Sequence, residues 1–183
     1  KVFGESFYLV YVKVNRLSNS YDEIPIMISD RILDVTEDLT GQEIYVEGEY
    51  RSHNLHQDES NFNLKLFVFA KDVYVLESSD ENSKNVIFLD GYVCSKPIYR
   101  KTPLRREISD IMLAVNRAFG KSDYIPCVAW GRNARYAQNF DIGTNVRLIG
   151  RVQSRKYKKR ISDDHFEERV AYEVSINKIE VVD

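Results

Sequence analysis

"VNRAFGKSDYIPCVAWGR", residues 115–132, aligns without a gap to "VNRLSNSYDEIPIMISDR", residues 14–31 of the same chain, at a constant offset of 101. Asn15, Arg16, Asp22, Ile24, Pro25 and Arg31 recur as Asn116, Arg117, Asp123, Ile125, Pro126 and Arg132. After one inserted residue, "EIYVEGEYRSHN" (43–54) aligns to "NVRLIGRVQSRK" (145–156), with Gly48 opposite Gly150. A 183-residue chain that carries one pattern twice reads as a tandem duplication.

Each copy alternates with the period of a strand. The second copy predicts strands near 86–95, 109–118, 124–130, 144–157 and 168–182. A short helix is predicted in "RNARYAQNF" (132–140), ended by Gly143. Five strands with one helix between the third and fourth is the order of an OB-fold, a small partly open barrel. The expected fold is therefore all-β, with two tandem five-stranded OB-fold barrels, each with a short helix between strands 3 and 4. The first barrel occupies residues 1–77 and lacks its first strand. Residues 78–84, within the polar run "ESSDENSKN" (77–85), form a linker, and residues 85–183 form the second barrel.

Comparing the copies separates the two faces of the third strand. Ile125, Cys127 and Ala129 match Ile24, Ile26 and Ile28, so this parity faces the core. Tyr124, Pro126, Val128 and Trp130 become Glu23, Pro25, Met27 and Ser29, which marks the other parity as solvent-accessible, since a buried glutamate is costly. In the fourth strand Val146, Leu148, Gly150 and Val152 face inward with Ile44, Val46, Gly48 and Tyr50. Outward, Arg147, Ile149, Arg151 and Arg155 replace Tyr45, Glu47, Glu49 and His53.

Charge follows the same division. Residues 1–84 hold 8 Lys and Arg against 16 Asp and Glu; residues 85–183 hold 18 against 12. The basic half gathers Arg117, Arg132, Arg151, Arg155, Lys156 and Lys158 around the rings of Phe119, Tyr124, Trp130 and Tyr157. Flat rings stack on unpaired bases while cations follow phosphates, so the expected ligand is single-stranded nucleic acid. Duplex hides its base faces. DNA and RNA offer the same stacking and phosphate contacts, so residues alone do not separate them.

These residues carry a resemblance. The second half resembles bacterial single-stranded DNA-binding proteins of the OB-fold SSB type through "NVIFLDGYV", "IYRKTPLRREIS", "IMLAVNR", "DYIPCVAWGRNARYAQNF", "GTNVRLIGRVQSRKY" and "AYEVSINKIEVV". In that family four aromatic positions stack on single-stranded DNA, and by motif they fall on Phe119, Tyr124, Trp130 and Tyr157. The first half resembles the family more distantly, with Ser18, Glu23, Ser29 and Leu55 at those positions. The resemblance implies a non-catalytic protein of DNA replication, recombination or repair, in the cytoplasm with the nucleoid. It implies a homodimer that assembles four barrels, with replication or repair proteins as further partners. The family's flexible tail with an acidic tip has no counterpart in "KIEVVD".

Other functions have weaker support. An OB-fold nuclease needs clustered carboxylates for a metal, whereas Asp90, Asp110, Asp123 and Asp141 are scattered and His53, His56 and His165 lack ligand spacing. No cofactor or metal is expected. Cys94 and Cys127, 33 residues apart in apolar runs, read as reduced core thiols. No apolar run is long enough to span a membrane as a helix, and no secretory leader is evident. A primosome-type or RNA-binding OB protein is the alternative binder. A structural interaction module is the alternative from another class.

Overall fold

The computed structural model describes residues 4–56, 62–77 and 83–182. It divides into two compact units, Lys1–Lys84 and Asn85–Asp183. The linker expected at 78–84 lies mostly outside the described residues. The first unit is a four-stranded sheet of β1 (Phe7–Asn15), β2 (Tyr21–Ser29), β3 (Ile44–His56) and β4 (Phe62–Val75), in the order β1-β2-β4-β3. The second contains β5 (Ile87–Val93), β6 (Ile98–Lys101), β7 (Glu107–Asn116), β8 (Ser122–Trp130), β9 (Asn145–Ser162) and β10 (His165–Val181). Its helix α1 (Arg132–Ala137) follows β8. Strand order is β5-β9-β10-β8-β7-β6, and a further β5–β7 pairing closes five strands into a ring. The structure is thus nearly all-β, of the OB-fold kind.

The two sheets share their registers. In β1–β2, Val14 pairs with Asp22 and Phe7 with Ser29; in β7–β8, Val115 pairs with Asp123 and Ile108 with Trp130. The parallel pairs Ile26–Val68 and Met27–Phe69 match Cys127–Val174 and Val128–Ser175. Asp22 and Asp123 are both buried, each against an arginine from the preceding turn: Nε of Arg16 lies 2.9 Å from Asp22, and Nε of Arg117 lies 2.8 Å from Asp123.

Gly48 and Gly150 explain how the last two strands of each sheet, β3 with β4 and β9 with β10, lie together. A Cβ at Gly48 would overlap the carbonyl oxygen of Phe69, and one at Gly150 that of Ser175. Both lie beside a β-bulge, between Glu47 and Gly48 in one sheet and opposite Ile176/Lys178 in the other. Such bulges increase local twist, which a sheet needs in order to curl.

Several expectations need correction. Residues 30–43 of the first unit contain turns instead of a helix. Asp34 accepts hydrogen bonds from the Thr36 amide and hydroxyl, and Asp38 accepts from the Thr40 amide, so side chains compete for the backbone groups a helix would use. The second unit has six strands, not five. The unexpected β6 forms a hairpin with β7 because Arg105 adopts a left-handed conformation (φ 58°) and its amide bonds Thr102. The helix is shorter than 132–140: it stops at Ala137, and Phe140 tucks into the core with its ring edge-on to Tyr136 at 4.9 Å. β9 and β10 extend beyond 157 and before 168 because opposite charges face each other across the hairpin, Lys158 against Glu168 and Lys159 against Glu167. Both cysteines are free, but Cys94 is only half-buried. Among the described residues no helix is long and apolar enough to cross a membrane.

The glycine contacts generate a test. Gly150→Ala forces the backbones of β9 and β10 apart and should destabilise the second unit by about 1–3 kcal/mol, read as a lowered urea midpoint. An unchanged midpoint would show that the close approach is dispensable.

Candidate nucleic-acid interface

β8 places its residues as its alternation requires. Ile125, Cys127 and Ala129 are fully buried, and burial pushes the Cys127 thiol far above its ordinary value, with the charge of Glu173 adding to the shift. On the other face Tyr124 is 47% exposed and Trp130 36%. Val128, expected outward and accessible, is buried. It stands mid-strand between its same-face neighbours Asp110 of β7 and Ser175 of β10, which leave it little open surface. Trp130 is fixed at its edge: Nε1 donates to Oγ of the buried Ser175 at 3.0 Å.

From Ser175 the outer face continues onto β9. Ser175 lies opposite Arg151, and Glu173 opposite Gln153. An Arg151 guanidinium N–H donates to Oε1 of Gln153 at 3.3 Å, whose Nε2 donates to Oε1 of Glu173 at 2.8 Å. That same oxygen lies 3.6 Å from Nε of Arg155, whose guanidinium carbon is 5.9 Å from the Tyr157 ring centre. Tyr157 is 36% exposed. Counting back along the parallel β8–β10 pair brings Ala171 level with Tyr124, and Ala171 faces Arg155. One surface therefore unites Trp130, Tyr124, Arg151, Arg155 and Tyr157. Glu173 and Ser175, which brace it, were missed in the sequence. The alternation of "VAYEVSI" (170–176) was their only signal.

Phe119 sits apart, in the short 3-10 turn Ala118–Gly120 between β7 and β8, with its side chain wholly exposed. Its φ of 64° is left-handed, an uncommon conformation for a bulky residue and one that tends to mark functional sites. Arg117, grouped with the phosphate-binding cations from sequence, is instead engaged by buried Asp123. The equivalent Arg16–Asp22 pair suggests a clamp on the turn. Arg132 is exposed at the start of α1. Lys156 reaches Glu168 at 3.4 Å, and Lys158 stands across from the same glutamate. Beside Trp130, the amide of Gly131 donates to the Glu107 carbonyl. The Glu107 carboxyl is held below the usual carboxylate range by the Tyr99 hydroxyl, with Arg135 contributing.

The first unit has a different outer face. Ser18 is exposed, and Glu23 lies 3.9 Å from Lys13. Ser29, expected to be accessible, is buried: its hydroxyl donates to Glu5 and accepts from the Arg31 amide. The Leu55 side chain lies outside the described residues. Rings occur elsewhere, with Phe7 and Phe69 5.8 Å apart and the Arg51 guanidinium 4.1 Å from the Phe69 centre.

The model of the single-strand binding protein family matches residues 84–182. The chain belongs to that family. Among curated relatives of this single-strand binding family member, single-stranded DNA-binding protein 2 of Listeria innocua is 35% identical over 80 residues, which are 40% of this chain and 50% of that protein. Single-stranded DNA-binding protein A of Bacillus subtilis is 34% identical over 83 residues, 42% of this chain and 48% of that protein. The chain spans about half the length of these curated relatives. The fold of the wild-type single-stranded DNA binding protein from Thermus aquaticus is similar over 98% of this chain and 81% of that one, with a TM-score of 0.66 and 22% sequence identity.

Ser175→Ala removes the hydrogen bond that orients the indole, a loss of about 1 kcal/mol. Trp130 is the only tryptophan, so its fluorescence anisotropy should fall in the variant. An unaltered anisotropy decay would mean that packing alone holds the ring.

Proposed function

We propose that the chain binds single-stranded DNA without sequence preference, through the outer face of its second unit. The observation that carries this reading is the grouping of exposed Trp130, Tyr124 and Tyr157 with Arg151 and Arg155 on one face. The curated relatives are named as single-stranded DNA-binding proteins, which supports it. Trp130, Tyr124, Tyr157 and, from its turn, Phe119 are the stacking rings. Arg132, Arg151, Arg155, Lys156 and Lys158 follow the phosphates, while Arg117 holds the turn that presents Phe119. No bond is made or broken; the family's members bind nucleic acid without catalysis. The two units are read as diverged tandem barrels, the first acidic and used for assembly or partner contact. Two chains would supply four barrels. The setting is DNA replication, recombination or repair in the cytoplasm, with the nucleoid.

Titration with oligo(dT) should quench Trp130 fluorescence and reverse as salt rises, while duplex of equal length quenches far less. Absence of both quenching and a mobility shift would remove the proposed face. Trp130→Ala should weaken binding by about 1–3 kcal/mol, one stacking contact. Glu23→Ala in the first unit should leave affinity nearly unchanged. Oligo(U) in the same assay decides between DNA and RNA.

A further inference from the structure

The hairpin of β6 and β7 lies at one end of the face that carries Trp130. Arg100 pairs with Ile108 and Ile108 with Trp130, so the three form one row across β6, β7 and β8. Two residues along, Ile98, Asp110, Val128, Ser175 and Arg151 form a second row that reaches β9. Paired residues share a face, so the outer surface is continuous from Arg151 to β6. Glu107 fastens the hairpin to the turn after Trp130. Its carbonyl accepts from the Gly131 amide at 2.9 Å, and its carboxylate accepts from the Tyr99 hydroxyl at 2.5 Å and from Arg135 of α1.

Beyond Glu107 the turn is framed by its own hydrogen bonds. The Thr102 amide donates to the Arg106 carbonyl and the Arg105 amide to the Thr102 carbonyl, both at 2.8 Å, and the Arg106 amide donates to Oγ1 of Thr102 at 3.1 Å. Arg105 has a φ of 58°, where glycine or asparagine is easier, so the turn does not account for an arginine. Lys101, Arg105 and Arg106 are all exposed. Among the described residues none of the three is in an ion pair. Lys101 stands across from Glu107, but that carboxylate is engaged by Tyr99 and Arg135. The β9–β10 arm is the reverse. Arg155 lies 3.6 Å from Glu173, Lys156 3.4 Å from Glu168 and Arg160 2.5 Å from Asp163.

We propose that the tip of this hairpin, through Lys101, Arg105 and Arg106, is the main electrostatic anchor of the bound single strand and takes the phosphates just beyond the base on Trp130. The proposal rests on the reading of this face as a site for single-stranded DNA. Arg106 is two residues from Ile108, roughly 7 Å along the strand from the row of Trp130, so a strand that leaves the indole toward β6 reaches the tip. Phosphate contacts gain their salt-dependent affinity from released counterions. A cation that already holds a carboxylate exchanges one anion for another, whereas a cation in water gains its partner anew. Residues 101–106 contain no acidic side chain to compete with a phosphate. Three free cations at the tip therefore weigh more in the salt dependence than the paired cations of the arm.

The test is the salt dependence of oligo(dT) binding by the full chain, read from Trp130 fluorescence between about 50 and 200 mM salt. A triple variant, Lys101→Gln, Arg105→Asn and Arg106→Gln, removes the three charges and gives position 105 a residue suited to left-handed backbone. It should keep the quenching at saturation, while the slope of log K against log salt becomes shallower by about 2, roughly 0.7 for each phosphate. Arg155→Gln with Lys156→Gln on the arm should make it shallower by less than about 0.7. Lys101→Arg with Arg105→Lys and Arg106→Lys, which keeps the charges, should keep the wild-type slope. Should the wild-type chain show no quenching, the reading of the face fails and the anchor with it. With quenching intact, the anchor alone is overturned if the neutral hairpin variant keeps the wild-type slope or if the arm variant loses as much. A slope lost equally in the charge-keeping variant would also overturn it, since the shape of the turn and not its charge would then matter.

Discussion

Most of the architecture depends on the approach of two backbones at a residue that has no side chain. β9 must pair with β10 along its length and, at its beginning, with β5 as well. The strand curls, and the curl brings the backbone at position 150 against the carbonyl of Ser175. Only glycine fits there. The opposed bulge at Ile176/Lys178 takes up the excess length. The same solution at Gly48 and Phe69 shows that it belongs to the sheet and not to what the sheet binds, since the two outer faces differ so much.

With that curl in place, the outer surface is organised by hydrogen bonds instead of packing. Trp130 is oriented by Ser175, and Arg155 by Glu173. Each of these partners is a small or acidic residue on β10, the strand between the two that carry the rings. For the proposed binding, preorganisation of this type would reduce the ordering cost, because these side chains are already held in place.

The core was legible because alternation is a backbone property. Ile125, Cys127 and Ala129 could be assigned inward from period and from comparison with Ile24, Ile26 and Ile28. Burial on the outer parity was less legible, because it depends on cross-strand neighbours: Val128 is covered by flanking side chains, and Ser29 by Glu5 from before β1. β6 was hidden because it depends on one left-handed arginine. The absent helix in the first unit depends on Asp–Thr pairs that resemble helix-starting signals while forming isolated turns. The Arg117–Asp123 pair misled for a different reason, since an arginine beside rings looks the same in sequence whether it faces a phosphate or a buried carboxylate.

The carboxylates on the β9–β10 arm have a consequence of their own. Glu173 lies beside Arg155 and Glu168 beside Lys156, where on the proposed reading a phosphate would approach each cation. On that reading the two carboxylates are resident surrogates for the ligand's backbone. A polyanion arriving there then exchanges one anion for another at these two cations, which trims but does not abolish the salt-dependent share of binding. On the proposed face, selection then rests with the rings. A chain of phosphates without accessible bases would displace the surrogates at little profit, whereas one with unstacked bases adds contacts that no glutamate can imitate.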